Sequence, residues 1–350
     1  MSKLSVIYQL SGITKRFKTN ALDGIESLNV SKEIQVSGAA TDSVNHLTME
    51  EFEHLLTEGG LKSIGDYKDR AKNYKEAKKD LDYIIINTLE KDPASNINRA
   101  LLNKFFKEIG EGFTTLSKLY KVKKFIFIVD KTSKESVEKL TSGLSNKEIK
   151  VVPYSYGWLG EEYIKEKLAL SQGKFIMEDI LNIYYLYQLF NYKQINNYVI
   201  GVEGHCLNKK GYFLVESGTT YKELIDLLGG FKEEPYKIVL GGVLKGQGIY
   251  NLKESVKPGD YSLLFLGEKE GKTSMEYNCI RCGQCLDICP KNLIPSKLNE
   301  FALTRSYERF KKAQGMECID CGLCSYTCPS KRHLTQSIST AKKLLLKEAN

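Results

Sequence analysis

The sequence predicts a multidomain protein of mixed class: an α/β layer, then a small α+β module, then a cysteine-rich C-terminal domain. Three observations carry that expectation. Eight of the nine cysteines fall in two runs near the C-terminus. Between residues 82 and 153, short apolar runs alternate with amphipathic stretches, the pattern of strands and covering helices in a mostly parallel sheet. Residues 197–250 then read as strand, strand, helix, strand, which is too compact for the same layer and suggests a β-grasp-like module.

Composition bounds the answer. With 350 residues and 42% hydrophobic side chains, the chain can bury sizeable cores in two or three domains. Mean hydropathy is −0.32, and no apolar run approaches the ~20 residues of a membrane span. Residues 1–10 have neither a long apolar core nor a small-residue cleavage site, so they read as mature sequence. A net charge of +8 favours acidic partners. The lysines are scattered among glutamates and no nucleic-acid motif is present, so nucleic acid is not an expected partner.

The elements follow in order. Strand-like pieces are expected at 5–10 and 33–36. A helix is expected at 48–56, with Thr48 as N-cap and Glu51 three residues on. A lysine-rich helix is expected at 67–79. The runs DYIIIN at 82–87 and KFIFIVD at 124–130 read as buried strands. Helices at 96–109, 114–120 and 133–140 and a strand at 149–153 complete the alternation. Helices are also expected at 161–168 and 177–189, the second with a dense aromatic face that reads as core packing. In the α+β module, strands at 198–202 and 212–216 flank a turn at 209–211. A helix at 220–228 ends on Gly229 and Gly230 as C-cap. Strands at 237–240 and 261–266 enclose a glycine-rich stretch, 241–248. The 28 residues between Cys289 and Cys318 leave room for a helix or helix pair at 295–314. A basic tail helix is expected at 338–347.

The cysteine runs are Cys279, Cys282, Cys285, Cys289 followed by Pro290, and Cys318, Cys321, Cys324, Cys328 followed by Pro329. Each reads C-x2-C-x2-C-x3-C-P, the bacterial ferredoxin spacing for a pair of [4Fe–4S] clusters. Two-residue gaps let three thiolates curl around one face of a cubane. The x3 gap and the proline turn the fourth cysteine away, towards the other cluster. One cluster is therefore assigned Cys279, Cys282, Cys285 and Cys328. The other takes Cys318, Cys321, Cys324 and Cys289. A disulfide framework would need an oxidising compartment, and zinc more often uses paired C-x2-C elements with histidine. Gly283 and Gly322 sit where the backbone approaches inorganic sulfide. Arg281 and Asp320 occupy one slot of the two runs with opposite sign. Thiols kept free for cluster assembly imply a cytoplasmic protein.

At this point the chain resembles the RnfC family, the cluster-bearing peripheral subunits of Rnf electron-transport complexes. The segments CIRCGQCLDICPKNLIPSKL and MECIDCGLCSYTCPSKRHLTQSI carry the strongest likeness. Residues 202–249 resemble the SLBB β-grasp domain of that family. The resemblance is specific over 197–340 and faint before it. It implies four segments: a short degenerate N-terminal segment at 1–45, a degenerate RnfC-like α/β domain at 46–195, an SLBB β-grasp module at 196–268, and a two-cluster ferredoxin domain with its tail helix at 269–350. It also implies FMN and NADH in the α/β domain, held by a glycine-rich loop. The corresponding stretch here is Glu58-Gly59-Gly60-Leu61-Lys62-Ser63-Ile64-Gly65-Asp66-Tyr67. Few glycines remain, and Asp66 puts negative charge where a phosphate would sit. The bland reading of Gly59, Gly60 and Gly65 is a helix end and a turn. The family's acidic stretch resembles residues 87–93 with part of the pattern altered. FMN and NADH binding by this chain is therefore not expected. Gly241, Gly242, Gly246 and Gly248 resemble family glycines with a role in turn geometry.

Cys206 stands alone after His205. An imidazolium beside it would lower its pKa and make a redox thiol, whereas the bland reading is a buried filler. The remaining histidines, His46, His54 and His333, show no ligand spacing, and Trp158 reads as packing. The expected function is electron transfer through two [4Fe–4S] clusters to a redox partner: a ferredoxin, a flavodoxin or an oxidoreductase complex, including one at the membrane. An FMN-dependent NADH dehydrogenase subunit is the alternative. Lys342, Lys343 and Lys347 on the tail helix are the expected docking charges.

Overall fold

The computed structural model describes residues 25–28, 47–77, 80–152, 161, 164, 168, 173–272 and 275–348. The strands expected at 5–10 and 33–36, most of the helix expected at 161–168, and Trp158 and His46 lie outside the described residues.

The first layer is a four-stranded, all-parallel sheet. Its strands are β2 (Asp80–Asn87), β3 (Lys121–Val129), β4 (Lys147–Val151) and β5 (Phe175–Asp179), in the order β4-β3-β2-β5. The apolar runs explain the sheet, because alternate side chains go to opposite faces and both faces are covered. Ile84, Ile86, Phe125 and Phe127 enter the main core, while Ile85, Ile126 and Ile128 enter a smaller one. The helix Met49–Glu58 starts on Thr48, which accepts from Glu51 N while the Glu51 carboxylate accepts from Thr48 N. The helix expected from residue 67 starts later, as Arg70–Ala77, because Tyr67 takes a left-handed turn (φ 55°).

Two helices, Ile97–Lys104 and Phe106–Leu119, replace those expected at 96–109 and 114–120. The break falls at Phe105 and not between 109 and 114. Gly112 lies inside the second helix because the helix Ile180–Tyr192 crosses it closely. A Cβ there would sit 2.9 Å from Ile183 O. The helix expected at 177–189 is displaced in turn. Met177, Glu178 and Asp179 finish β5, and the aromatic helix begins at Ile180. Its aromatic face is core, as expected, with Tyr185 and Phe190 buried.

The second layer is a six-stranded mixed sheet. Its strands are β1 (Ile25–Leu28), β6 (Asn197–Gly204), β7 (Gly211–Glu216), β8 (Lys237–Leu240), β9 (Gln247–Ile249) and β10 (Ser262–Leu266), in the order β1-β7-β6-β10-β8-β9. The hairpin β6–β7, the helix Tyr221–Leu227 and the parallel pairing of β10 with β6 give the strand order of a β-grasp. The sequence did not point to β1, which extends the sheet as a parallel edge strand on β7. The two layers share one hydrophobic core: Tyr185 packs edge-on against Tyr198, and its hydroxyl accepts from Val199 N.

The C-terminal unit is built from helices Pro295–Leu303, Tyr307–Lys312 and Leu334–Glu348 around Leu298, Phe310, Ile338 and Leu345. The inserted segment is thus a helix pair, and the tail helix starts four residues earlier than expected. Among the described residues, no helix is long and apolar enough to cross a membrane.

Candidate functional site

The two cysteine runs fold as structural repeats. Arg281 and Asp320 have φ of 55° and 51°, Gly283 and Gly322 have φ of 81° and 79°, and Asn292 and Lys331 have φ of 53° and 54°. Each glycine opens a short helix, Gln284–Asp287 in one run and Leu323–Thr327 in the other. The left-handed residues curl the chain so that thiols spaced by two residues face one centre, and glycine takes that conformation without a Cβ penalty. Gly322 has a second constraint, since a Cβ would lie 2.1 Å from Leu244 O.

The geometry interleaves the runs. Cys279, Cys282, Cys285 and Cys328 line one cavity. Cys289, Cys318, Cys321 and Cys324 line another. In both, the fourth cysteine of one run joins the first three of the other. No carboxylate or imidazole lines either cavity, and among the described residues no cluster of His, Cys, Asp or Glu is gathered to hold a single metal ion. The second cavity is walled by Leu293, Leu298, Leu323 and Ile338. Leu293 N donates to Cys289 Sγ at 3.4 Å, and Thr335 Oγ1 lies 3.3 Å from Cys324 Sγ. Ser296 hydrogen-bonds Cys285. A four-thiol donor set with apolar walls and donors on sulfur fits a cubane. As free thiols, Cys318 and Cys324 are pushed up to about 12, chiefly by burial, so ligation must displace tightly held protons.

The two cavities differ in exposure. Cys321 and Cys324 are each 8% exposed, whereas Cys279 and Cys282 are open to solvent. The second cavity adjoins a cleft of about 1,370 Å³ between the parallel sheet, the helix Gly242–Lys245 and the C-terminal unit. Cys318 and Gly322 line that cleft opposite Gly65, Asp66 and Asp179. Asp92, fully buried, ties the three parts together. Its carboxylate accepts from Ala94 N and Leu244 N, each at 2.9 Å, and Leu244 O packs on Gly322.

The cleft mouth tests the flavin expectation. Gly59 ends the first helix by donating to Leu55 O, and Gly65 sits in a turn at φ 79°. The N–H of Gly65 is already given to Gly259 O, that of Tyr67 to Ser63 O and that of Lys68 to Ser63 Oγ. Lys91 reaches across the loop, 2.8 Å from Asp179 and 3.2 Å from Ile64 O. Asp66 faces Lys245 at 3.7 Å. A flavin phosphate entering here meets two lysine-paired carboxylates, and three of the loop's amides, those of Gly65, Tyr67 and Lys68, are already committed. These partners compete with a phosphate for the loop's amides and lysines.

Of the two readings of Cys206 the geometry favours the buried filler, and one expected docking charge changes role. Cys206 is fully buried, and its thiol is pushed up to about 11 by burial and by Glu233 and Glu270, the opposite of the lowering a redox thiol needs. Lys342 is not a free docking charge: it donates to Cys318 O and pairs with Asp320 at 3.4 Å. Lys343 and Lys347 are exposed. Lys91, Asp92 and the buried Arg70–Glu178 pair (2.9 Å) were not singled out from sequence. Lys91 and Asp92 fall inside the altered acidic stretch, which was the one signal available.

The fold and the paired cysteine cavities are those of an iron–sulfur protein with a flavoprotein-type α/β domain. Residues 278–332 match the 4Fe-4S dicluster domain, and residues 67–177 match the Nuo51 FMN-binding domain. The second match begins just past Asp66. Over 267 residues, the chain is 27% identical to the C subunit of the ion-translocating oxidoreductase complex of Rhodobacter capsulatus, covering 71% of this chain and 51% of that protein. It is 38% identical over 114 residues to the C subunit of the proton-translocating ferredoxin:NAD(+) oxidoreductase complex of Clostridium ljungdahlii, covering 33% of this chain and 25% of that one. The chain thus spans about half or less of the curated relatives it matches. A crystal structure of NAD+-reducing [NiFe]-hydrogenase in the air-oxidized state shares the fold, with a TM-score of 0.60 at 12% identity over 87% of this chain and 65% of that one. Over the matched residues the chain is similar to these C subunits, that is, RnfC-like.

Proposed function

We propose that this chain relays single electrons through two [4Fe–4S] clusters, between a redox protein partner and an oxidoreductase or Rnf-type complex, without oxidising NADH itself. The carrying observation is the pair of interleaved four-cysteine cavities, each made by three cysteines of one run and one of the other. The second cluster would use Cys318, Cys321, Cys324 and Cys289, and the first Cys279, Cys282, Cys285 and Cys328. The committed amides and the Lys91–Asp179 pair at the cleft mouth support the absence of flavin. Peripheral association with a membrane complex, on its cytoplasmic side, would come through the partner.

Protein assembled anaerobically is expected to contain about eight iron and eight sulfide, as two cubanes require. It is expected to show no flavin absorbance, no NADH-driven dye reduction, and bleaching by dithionite. Zinc as the main metal would overturn the cluster reading. Retained FMN with NADH turnover would favour the second reading, an FMN-dependent NADH dehydrogenase subunit. That reading draws on the large cleft beside the second cavity and on the match to the FMN-binding domain.

A further inference from the structure

We infer that the exposed face around the first four-cysteine cavity is the docking port for a small acidic one-electron carrier protein, and that the tail helix is not. This rests on the reading that clusters occupy both cavities.

The two repeats share a backbone but not an environment. In the second, Cys321, Gly322, Leu323 and Cys324 are all buried. Helix Gly242–Lys245 caps them through the contact of Leu244 with Gly322. In the first, every residue from 275 to 282 is exposed. A Cβ at Gly283, the counterpart of Gly322, would meet no atom within 4 Å. Among the described residues, the repeat left uncovered is therefore the one at 279–289.

Its surroundings are those of an interface. Ile280 is 66% exposed, Ile294 49% and Leu286 41%, and all three line the same cavity. Tyr277, 61% exposed, joins them by donating its N–H to Ser330 O on the rim. Grouped exposed apolar side chains of this kind mark interaction sites. The charged residues lining the cavity are Arg281 and Arg332. Arg332 is held by Asn299 at 2.7 Å, whereas Arg281 is exposed on its left-handed turn. An apolar patch with an exposed arginine at its centre, on a chain of net charge +8, selects an acidic partner. An electron leaving such a carrier oxidises it by one and reduces the nearest cubane by one. The exposed cavity is where that approach is shortest.

The test is binding, measured by calorimetry with the iron-loaded chain and an oxidised acidic ferredoxin, so that no turnover enters the readout. Wild type is expected to bind with an affinity that weakens as salt shortens the Debye length from about 10 Å at 0.1 M to about 3 Å at 1 M. Arg281→Glu and Ile280→Asp are each expected to weaken low-salt binding about tenfold, while Lys347→Glu leaves it unchanged. Iron content near eight per chain and unaltered visible spectra in the variants show that the clusters are intact. Loss of iron in wild type would sink the cluster reading itself. Full iron with unchanged affinity in both face variants, or a larger loss in Lys347→Glu, would overturn the port.

Discussion

The carboxyl of Glu203 is buried in β6, and its Oε1 has no hydrogen-bond partner among the described residues. Burial pushes its pKa up to about 8 from an ordinary 4.5, with Lys210 pulling partly back. Burial also raises Glu90 to about 8, against the amides of Asn98 and Arg99. Both groups hold a proton in the folded chain that the unfolded chain releases above about 4.5. Their contribution to stability is therefore complete at acid pH and is lost as pH rises through about 8. Melting temperature is expected to fall from pH 5 to pH 8, and Glu203→Met is expected to flatten that slope, by roughly 1–3 kcal/mol over the interval. An unchanged slope would mean that Glu203 is ionised in the fold. The cysteines give a second test at this scale. Cys289→Ala is expected to alter the electron paramagnetic resonance signal of the cluster on Cys318, Cys321 and Cys324, and Cys328→Ala that of the other. Each variant perturbing the cluster of its own run would refute the crossed assignment. The cysteines were legible because ligand spacing is local in sequence. Lys91 was not, because its partners, Asp179 and the Ile64 carbonyl, come from distant segments.

Strands and caps were largely legible, and the misplaced boundaries have physical causes. The capping box at Thr48 is written in four adjacent residues, so that helix start was found, and the helix expected at 220–228 turns out to start on a second box at Thr220. Gly110 and Gly112 fall in the gap expected between 109 and 114, but Gly112 lies where two helices approach closely. A Cβ at Gly112 would meet the Ile183 carbonyl at 2.9 Å, which cannot move without its helix. At Gly110, a Cβ would make an ordinary 3.6 Å contact with Leu140. The pair therefore separates propensity from packing. Gly110→Ala is expected to stabilise by up to about 1 kcal/mol, the helix propensity gain. Gly112→Ala is expected to destabilise by about 1–3 kcal/mol through overpacking. Thermal melts of the two variants check this, and equal shifts of one sign would show that the close crossing is not what fixes Gly112. The boundary at Ile180 escaped the sequence for another reason. Apart from Glu178 and Asp179 at the junction, residues 175–187 are apolar at all but Asn182, and such a run has little period to separate strand from helix.

Across the whole molecule, the parallel sheet and the cysteine repeats meet through four residues, Gly242–Lys245. Asp92 holds this short helix from the sheet side, and Leu244 presents its carbonyl to Gly322 on the cluster side. Gly242 is required twice, by its φ of 84° and by the Asp92 carboxylate, which a Cβ would approach to 2.3 Å. Lys245 adds positive charge near Cys321. Apart from the turn role of Gly242, this was not legible, because sequence patterns describe elements singly and this junction joins three segments about 80 to 230 positions apart in the chain. The junction makes the second cluster's surroundings depend on a residue of the α/β layer, while the first cluster has no such tie among the described residues. Asp92→Ala leaves the buried amide of Ala94 and the partly buried amide of Leu244 without their acceptor, at a cost of about 2–4 kcal/mol. It is also expected to free the helix from Gly322, let water reach the second cavity and shift the reduction potential of that cluster, since exposure and nearby charge set cluster potentials. Potentiometric titration followed by electron paramagnetic resonance resolves the two clusters. The expected result is one shifted midpoint, belonging to the cluster on Cys318, Cys321, Cys324 and Cys289, with the other unchanged. Asp92→Asn, which keeps one acceptor oxygen for one of the two amides, is expected to retain part of the stability and to give a smaller shift of the same midpoint. Two equally shifted midpoints, or none in a destabilised Asp92→Ala protein, would show that the junction holds the domains together without setting the electronic environment of either cluster.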